Sequence, residues 1–338
     1  MNNLKSIREN RGLTKKQAAR TLHLRYDYYN ALENGTFDDN EIIQAKMPEL
    51  EKQVETHYVP KLVEYSHPIV LTPAIGKGGV GKTTSVINIA GVLAEMGYQV
   101  LIIDTTEQCD TTLTFLSTEE LNNAKTIYSA IEGVEDLKPY ICHTQFPMID
   151  IVPSDYRMNN IEALLATMVC QEQILKMCMQ TILEENMYDF ILLDASNHLG
   201  SFKNVVWMCS NPIYLYSTVK AEAMDIRQLP PTINTITNCQ KTFARYGQDI
   251  RYLGNFISKI NFSQKVAEES LEVVKQILGA KNFDCYVRQD ASISSAIEEQ
   301  QPVINYKRSA KASRDYTVIT NEILRRVEEM EYGKEKQQ

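Results

Sequence analysis

The sequence is organised around the stretch Gly76-Lys77-Gly78-Gly79-Val80-Gly81-Lys82-Thr83-Thr84. An apolar run at 68–75 precedes it, and the segment 85–94 that follows has helical periodicity. A strand, a glycine-rich loop and a helix in this order are typical of a phosphate-binding loop. Glycines let backbone N–H groups turn toward an anion, and the helix directs its positive end at the same anion. We therefore predict that all nine residues contact the phosphates of a nucleotide.

Three side chains in and beyond this loop are predicted to serve the phosphates and a magnesium ion. Lys82 should reach the β- and γ-phosphates, and Thr83 should ligate Mg²⁺. A buried strand at 188–194 ends in Asp194, which we expect to hold the ion through water. The strand at 99–104 ends in Asp104, which we expect to order the same magnesium shell.

Lys77, a second lysine inside the loop, indicates which class of phosphate-binding loop this is. The run from Lys77 to Thr84 resembles the deviant Walker A loop of the ParA/MinD group of ATPases, which includes plasmid and chromosome partition proteins. The resemblance covers about residues 68–327. It implies ATP as the ligand and a homodimer in which Lys77 crosses the interface to the partner's nucleotide. It also implies nonspecific binding to DNA and a ParB-type centromere-binding partner.

Alternating apolar runs and helical segments predict an α/β fold, with a doubly wound, mostly parallel sheet that places ligands at the carboxyl ends of its strands. A chain of 338 residues also has room for a small second module. We predict a helical domain at 1–57, a linker at 58–67, the ATPase domain at 68–330 and a polar tail at 331–338.

The first 36 residues carry seven Lys or Arg against three Asp or Glu, in a chain of net charge −8. Their layout, with Thr14 as a helix cap and Gly35 after a third helix, resembles the Cro/C1-type helix-turn-helix. His23 and the tyrosine-rich third helix depart from that family's pattern. The alternative is a helical dimerisation or partner-docking domain. If the module binds DNA, the predicted contacts are Lys15, Gln17, Arg25, Tyr26 and Tyr28.

Thr106 stands where partition ATPases usually have a second aspartate, the one assigned to the attacking water. A threonine cannot act as a base at neutral pH, so slow hydrolysis is predicted. Glu107 and Asp110 are the carboxylates that could compensate, or they are solvated loop charges. The predicted catalytic set is Lys77, Lys82, Asp104, Glu107 and Asp110.

A second basic segment lies near the end of the chain. By similarity to the partition family, the predicted DNA contacts are Arg288, Lys307, Arg308, Lys311 and Arg314, and a solvated helix face is the alternative. The terminal helix lacks a strongly basic face, which argues against membrane binding. Seven cysteines without a metal-binding pattern, and no signal-peptide core, favour a cytoplasmic protein, by resemblance nucleoid-associated.

Together these features predict a ParA-type partition protein of a plasmid or another mobile element. The alternative is a nucleotide-controlled transcriptional regulator whose hydrolysis is weak or lost. A MinD-like positioning protein is a third hypothesis, which binding to anionic liposomes with ATP would test.

Overall fold

The computed structural model describes residues 4–22, 24–36, 47–48, 51–54, 62–74, 77–195, 200–263 and 266–333. One eight-stranded sheet forms its centre, in the order β3-β4-β2-β5-β1-β6-β7-β8. Every paired neighbour is parallel except β3, which runs antiparallel to β4 at one edge. The strands are β1 (Ile69–Pro73), β2 (Val100–Asp104), β3 (Cys142–His143), β4 (Ile149–Val152), β5 (Phe190–Asp194), β6 (Ile213–Lys220), β7 (Ile250–Ile260) and β8 (Asn282–Arg288).

Helices cover both faces of the sheet, which confirms the predicted doubly wound fold. The N-terminal helices are α1 (Leu4–Asn10), α2 (Lys15–Thr21) and α3 (Tyr26–Asn34). The sheet helices in the first half are α4 (Lys82–Glu95), α5 (Asp110–Phe115), α6 (Thr118–Asn123), α7 (Ile127–Gly133), α8 (Ile161–Leu165) and α9 (Ile174–Glu185). The remainder are α10 (Phe202–Trp207), α11 (Ala223–Ile226), α12 (Leu229–Ala244), α13 (Val266–Leu278), α14 (Ser292–Glu298), α15 (Val303–Tyr306) and α16 (Lys311–Tyr332).

The central strands are buried on both faces, which explains why they read in the sequence as unbroken apolar runs. One apolar core lies between the sheet and helices α4 and α16. The other lies on the opposite face, against α7, α9, α10 and α12. Because α4 follows β1 directly, the predicted phosphate loop is held between two packed elements.

The N-terminal module has its own small core. Thr14 caps α2 in a reciprocal arrangement with Gln17, and Gly35 ends α3 in the left-handed conformation, as the sequence predicts. Apolar side chains from α1, α2 and α3 meet in its centre: Leu4, Ala18, Ala19, Leu22 and Tyr29. Arg8 and Glu33 form a buried ion pair with N–O distances of 2.7 and 2.9 Å, which ties α1 to α3.

The proposed boundaries at 57 and 67 fall partly on residues 55–61, which lie outside the described residues, as do His23 and residues 334–338. The tail prediction begins at 331, and α16 continues to Tyr332. In the part of the chain that the structure describes, no helix is long and apolar enough to cross a membrane.

Replacing Gly91 with alanine should destabilise the fold. A Cβ at this position in α4 would lie 2.5 Å from the Cβ and 2.9 Å from the Cγ of Pro302, whose ring cannot swing aside. Overpacking of this kind costs about 1–3 kcal/mol of unfolding free energy. Urea unfolding would measure it. Glycine to alanine inside a helix ordinarily stabilises by roughly 0.5–1 kcal/mol, so a gain in stability would contradict this contact.

Candidate functional site

The glycine-rich loop lies at the carboxyl end of β1, between the ends of β5 and β6. Gly79 and Gly81 have φ values of +72° and +90°, which side chains rarely tolerate. A Cβ on Gly81 would also lie 3.3 Å from Ser258 Oγ. The carbonyl oxygen of Val80 accepts hydrogen bonds from Thr218 (3.0 Å) and Ser258 (2.6 Å), so the ends of β6 and β7 fix the loop. Gly76 lies outside the described residues.

Lys82 opens α4, and its side chain points back across the loop. Its Nζ lies 3.3 Å from the carbonyl oxygen of Lys77. Burial lowers the pKa of Lys82 to about 8, against the opposing charges of Asp194 and Glu107. Anionic phosphates placed here would oppose that effect and favour the charged form.

The neighbouring strands β2 and β5 end side by side in two buried carboxylates, because Asp104 and Asp194 are register partners. Asp194 accepts hydrogen bonds from the hydroxyls of Thr83 (3.3 Å) and Thr111 (2.7 Å). Burial, with a further contribution from the charge of Asp104, raises the pKa of Asp194 to about 7. Hydroxyl and carboxylate oxygens are the ligands that Mg²⁺ prefers, so Thr83 and Asp194 fit this ion.

Asp104 is placed differently from Asp194. Its two oxygens accept four hydrogen bonds, from the backbone N–H and hydroxyl groups of Thr106 and Thr112, at 2.7–3.0 Å. Burial raises the pKa of Asp104, and these four bonds oppose the shift. With its acceptor positions filled by protein donors, Asp104 positions the loop after β2, and its direct role in the magnesium shell stays a prediction.

The structure places Thr106 in the candidate site, with its hydroxyl donating to Asp104 at 2.7 Å. The hydroxyl keeps lone pairs that can accept a hydrogen bond from water, but it has no basic group. Glu107 and Asp110 also line the site. The cavity has a volume of about 170 Å³ and is lined by Gly79, Gly81, Lys82, Thr83, Thr84, Thr106, Glu107, Gln108, Asp110, Ala195 and Lys259.

Lys77 does not point into this cavity. Its Nζ lies 2.6 Å from Asp225 Oδ1, on α11, and this bond raises the pKa of Lys77. Asp225 is buried, and in the described structure its Oδ2 has no hydrogen-bond partner. Lys77 is therefore held by a carboxylate 148 residues away in the sequence.

Two further lysines at the site were missed by the sequence analysis. Lys259 follows Ser258, adopts φ +56° and lines the cavity. Lys220 ends β6, and its Nζ would lie 3.8 Å from a Cβ on Gly79. Both stand at the carboxyl ends of strands on the β6 side of β1, Lys220 on β6 and Lys259 on β7, and that position is the signal that could have found them.

The predicted DNA contacts of the N-terminal module are largely engaged within the protein. Lys15 Nζ donates to Asn30 Oδ1 at 2.6 Å, and the side chain of Gln17 accepts from the backbone N–H of Thr14. Tyr26 and Tyr28 are half-buried. Arg25 is also half-buried, and its Nε has no hydrogen-bond partner in the described part of the chain.

The predicted C-terminal contacts divide into two groups. Arg288 is bound by both oxygens of Asp315, at 2.6–3.2 Å, so its charge is matched within the fold. The other four side chains are exposed and lie between α15 and the first turn of α16: Lys307, Arg308, Lys311 and Arg314. Of these, Arg308 approaches Glu95 at 3.3 Å and stays 81% exposed.

Comparison with known proteins agrees with the geometry of the site. A protein-family profile described as an AAA domain matches residues 70–246, just over half of the chain. The sporulation initiation inhibitor protein Soj of Bacillus subtilis is 23% identical over 247 residues, which cover 73% of this chain and 94% of Soj. The chromosome partitioning protein ParA of Caulobacter vibrioides is 23% identical over 259 residues, covering 76% of this chain and 94% of that protein.

Among solved structures, the chain is similar in fold to a plasmid partition protein of Borrelia burgdorferi that was crystallised with AMPPNP. The TM-score is 0.63 and the sequence identity 20%, with 76% of this chain and 99% of the other covered.

Proposed function

The chain belongs to the ParA/MinD-type, deviant Walker A group of ATPases, and on that premise we propose that it is a partition protein that binds MgATP, dimerises around it and then binds DNA without sequence preference. A centromere-binding protein is the proposed partner that ends the DNA-bound state, and a plasmid or another mobile element is the proposed cargo. The observation that carries the proposal is the loop itself, in which Lys77 precedes and Lys82 follows the two glycines with positive φ, Gly79 and Gly81.

Nucleotide binding is supported by the fixed backbone of the loop and by the buried ammonium of Lys82. Thr83 and Asp194 are the residues proposed to hold magnesium, which when bound neutralises phosphate charge. The hydroxyl of Thr111 donates a 2.7 Å hydrogen bond to Asp194 Oδ2, so the carboxylate is held in place before any ion binds. ATP hydrolysis is proposed to be slow, since Thr106 can accept a hydrogen bond from water but cannot take its proton.

DNA binding is proposed for the exposed basic segment before and within α16. Lys307, Lys311 and Arg314 are exposed there. Phosphate contacts of this kind are insensitive to base sequence and weaken steeply with salt. Dimerisation would double the surface by bringing two such segments onto one particle, which supports a dependence of DNA binding on ATP.

The test measures ATP-dependent binding to a labelled mixed-sequence duplex, with fluorescence anisotropy as the readout across a series of salt concentrations. We expect binding with MgATP, little binding with MgADP, and loss of the difference in Lys82→Ala. Lys311→Ala should make the slope of log affinity against log salt shallower by about 1 for each protomer whose segment contacts the duplex, and so by about 2 for a dimer bound through both segments.

Lys241→Ala is the matched control, because Lys241 is exposed on α12, on the opposite face of the sheet. An equal change of slope in this control would assign the effect to overall charge. Binding that ignores nucleotide and survives Lys82→Ala would overturn the proposed cycle.

A second function is favoured by Thr106 together with the helix-turn-helix-like module. A chain that binds ATP but barely hydrolyses it could act as a nucleotide-controlled transcriptional regulator, with operator binding as its output. Selection of bound fragments from random duplexes would separate the two functions: a recovered consensus sequence favours the regulator, and its absence favours partition.

A further inference from the structure

The N-terminal module docks on the ATPase domain at the amino ends of the strands, opposite the nucleotide site. Arg20 Nη2 lies 2.5 Å from Asp189 Oδ1, and the two side chains are 2% and 4% exposed. Lys16 Nζ lies 3.6 Å from the same oxygen and donates to Asn186 Oδ1 at 3.2 Å. Lys16 and Arg20 are four residues apart, so they share one face of α2. One buried aspartate therefore matches two cations of the module.

Neighbouring contacts extend this docking surface. The guanidinium of Arg20 stacks 5.2 Å above the ring of Tyr98, and Gln99 Nε2 donates to the carbonyl oxygen of Leu24 at 2.8 Å. Asp189 also accepts from the backbone N–H of Gln99 at 2.8 Å, which holds the carboxylate in place. The connection between α2 and α3 is thus seated against the starts of β2 and β5.

The start of α3 is covered as well. Asp27 lies 3.8 Å from His143 Nε2, and His143 Nδ1 lies 2.8 Å from Asp150 Oδ1. His143 thus stands between a carboxylate of the module and one of the ATPase domain, with Arg25 nearby, and its hydrogen bond with Asp150 raises the pKa of His143. In helix-turn-helix proteins, the N-terminal residues of the equivalent helix enter the major groove. Here that end of α3 faces the β3–β4 edge.

Most basic side chains of the module are consequently engaged inside the molecule. Six of its seven Lys and Arg side chains have partners within the chain: Arg8, Arg11, Lys15, Lys16, Arg20 and Arg25. Lys16 and Arg20 have theirs on the ATPase domain. Of the charge that suggested DNA binding in the sequence, the two cations of α2 are, in this conformation, directed at Asp189.

We infer that the docking face of the module, formed by Lys16, Arg20, Leu24 and Arg25, binds the phosphate backbone of duplex DNA, and that Asp189 occupies this face within the same chain. DNA and the ATPase domain compete for this face, so the module contacts duplex only when it undocks. The inference does not depend on ATP binding, since all of these residues lie at the end of the sheet away from the loop.

Asp189→Asn tests the inference in the full chain without nucleotide. Asparagine keeps an oxygen for the backbone N–H of Gln99 but removes the charge that Lys16 and Arg20 face. We expect faster amide hydrogen exchange in α2, α3 and residues 97–99. We also expect tighter binding to a labelled mixed-sequence duplex, with a salt slope steeper by about 2, one unit for each freed cation.

Glu185→Gln is the matched control, because it removes the same charge four residues earlier, where Glu185 pairs with Lys138. It should change neither readout. Arg20→Ala should accelerate exchange as Asp189→Asn does, but gain less affinity, because it removes a cation of the docking face. Undocking without a steeper slope, or an equal gain in Glu185→Gln, would overturn the inference.

The unmodified chain supplies a second measurement that needs no substitution. At low salt and without nucleotide, duplex bound by the module should accelerate exchange at residues 97–99 and 186–189, because DNA displaces the ATPase domain from the docking face. The same measurement in a chain carrying Lys307→Ala, Lys311→Ala and Arg314→Ala removes binding through the C-terminal basic segment. Duplex binding by that variant that leaves these amides fully protected would also overturn the inference. Because neither measurement uses ATP, failure here leaves the proposed ATP cycle untouched, and failure of that cycle leaves this inference standing.

Discussion

Thr106→Asp should accelerate phosphate release from MgATP by about 10²–10⁴-fold, the range that a positioned general base contributes. Residue 106 lines the cavity beside the loop, so a carboxylate there can take the proton from an attacking water, which the threonine hydroxyl cannot. The new carboxylate would lie next to Asp104. In the native chain the Thr106 hydroxyl donates a 2.7 Å hydrogen bond to Asp104, whereas an aspartate at this position would bring a second negative charge beside it. Proximity of the two carboxylates would raise the pKa of the added group and favour its action as a base.

Thr106→Asn is the control, since asparagine has the shape of aspartate without its basicity, and Lys82→Ala is the blank. Turnover should be measured with duplex DNA present. If the native chain already hydrolyses ATP rapidly and Lys82→Ala does not, Glu107 or Asp110 performs the missing step, and Glu107→Gln and Asp110→Asn would identify which. Equal rates in the Asp and Asn variants would contradict the assignment of residue 106 to the attacking water.

Lys77→Ala should weaken ATP-dependent dimerisation by about two to three orders of magnitude, the usual loss when one partner of a desolvated charge contact is truncated. The proposed dimer uses this ammonium on the partner's nucleotide, so a chain without it should bind MgATP yet stay monomeric. Sedimentation velocity with a non-hydrolysable ATP analogue would measure the monomer–dimer equilibrium, and fluorescence of a labelled nucleotide would report binding separately.

Asp225→Asn should act in the opposite direction. The 2.6 Å ion pair holds Lys77 in the monomer, and removing the carboxylate charge frees the ammonium for the interface. We expect dimers at lower protein concentration than in the native chain. Lys241→Ala, which removes an exposed lysine on α12, is the matched control for the loss of a lysine in Lys77→Ala. Normal dimerisation of Lys77→Ala would show that the second lysine of the loop is not an interface residue.

Local sequence was sufficient for the strands and for the phosphate loop. The runs before Asp104 and Asp194 predict buried parallel strands because both faces of each strand are covered, so no alternation is needed. The glycines at 79 and 81 predict the loop because its positive φ angles and its close approach to Ser258 exclude side chains. Helices α2 and α3 were predictable from their caps, which are interactions between residues a few positions apart.

The rest of the site depends on contacts between residues far apart in sequence. Nothing near Lys77 indicates that Asp225 is its partner, because only the placement of α11 beside the loop joins them. Two of the threonines that bond to these carboxylates, Thr111 to Asp194 and Thr112 to Asp104, come from α5, whose position follows from packing. The same reason explains the N-terminal module: its basic residues suggested DNA contacts, whereas Asp189, which matches two of them, lies about 170 positions further along the chain.

The two strands that carry the buried carboxylates of the site begin under the N-terminal module, β2 just after Gln99 and β5 just after Asp189. A shortened protein beginning near residue 62 would therefore lose more than an appendage. It would uncover the ring of Tyr98 and leave the Asp189 carboxylate, now 4% exposed, without its two cationic neighbours. Biochemical work on the isolated ATPase domain would then describe a molecule in which the amino ends of β2 and β5 are changed. The chain with its N-terminal module is the appropriate unit for purification, crystallisation and kinetics.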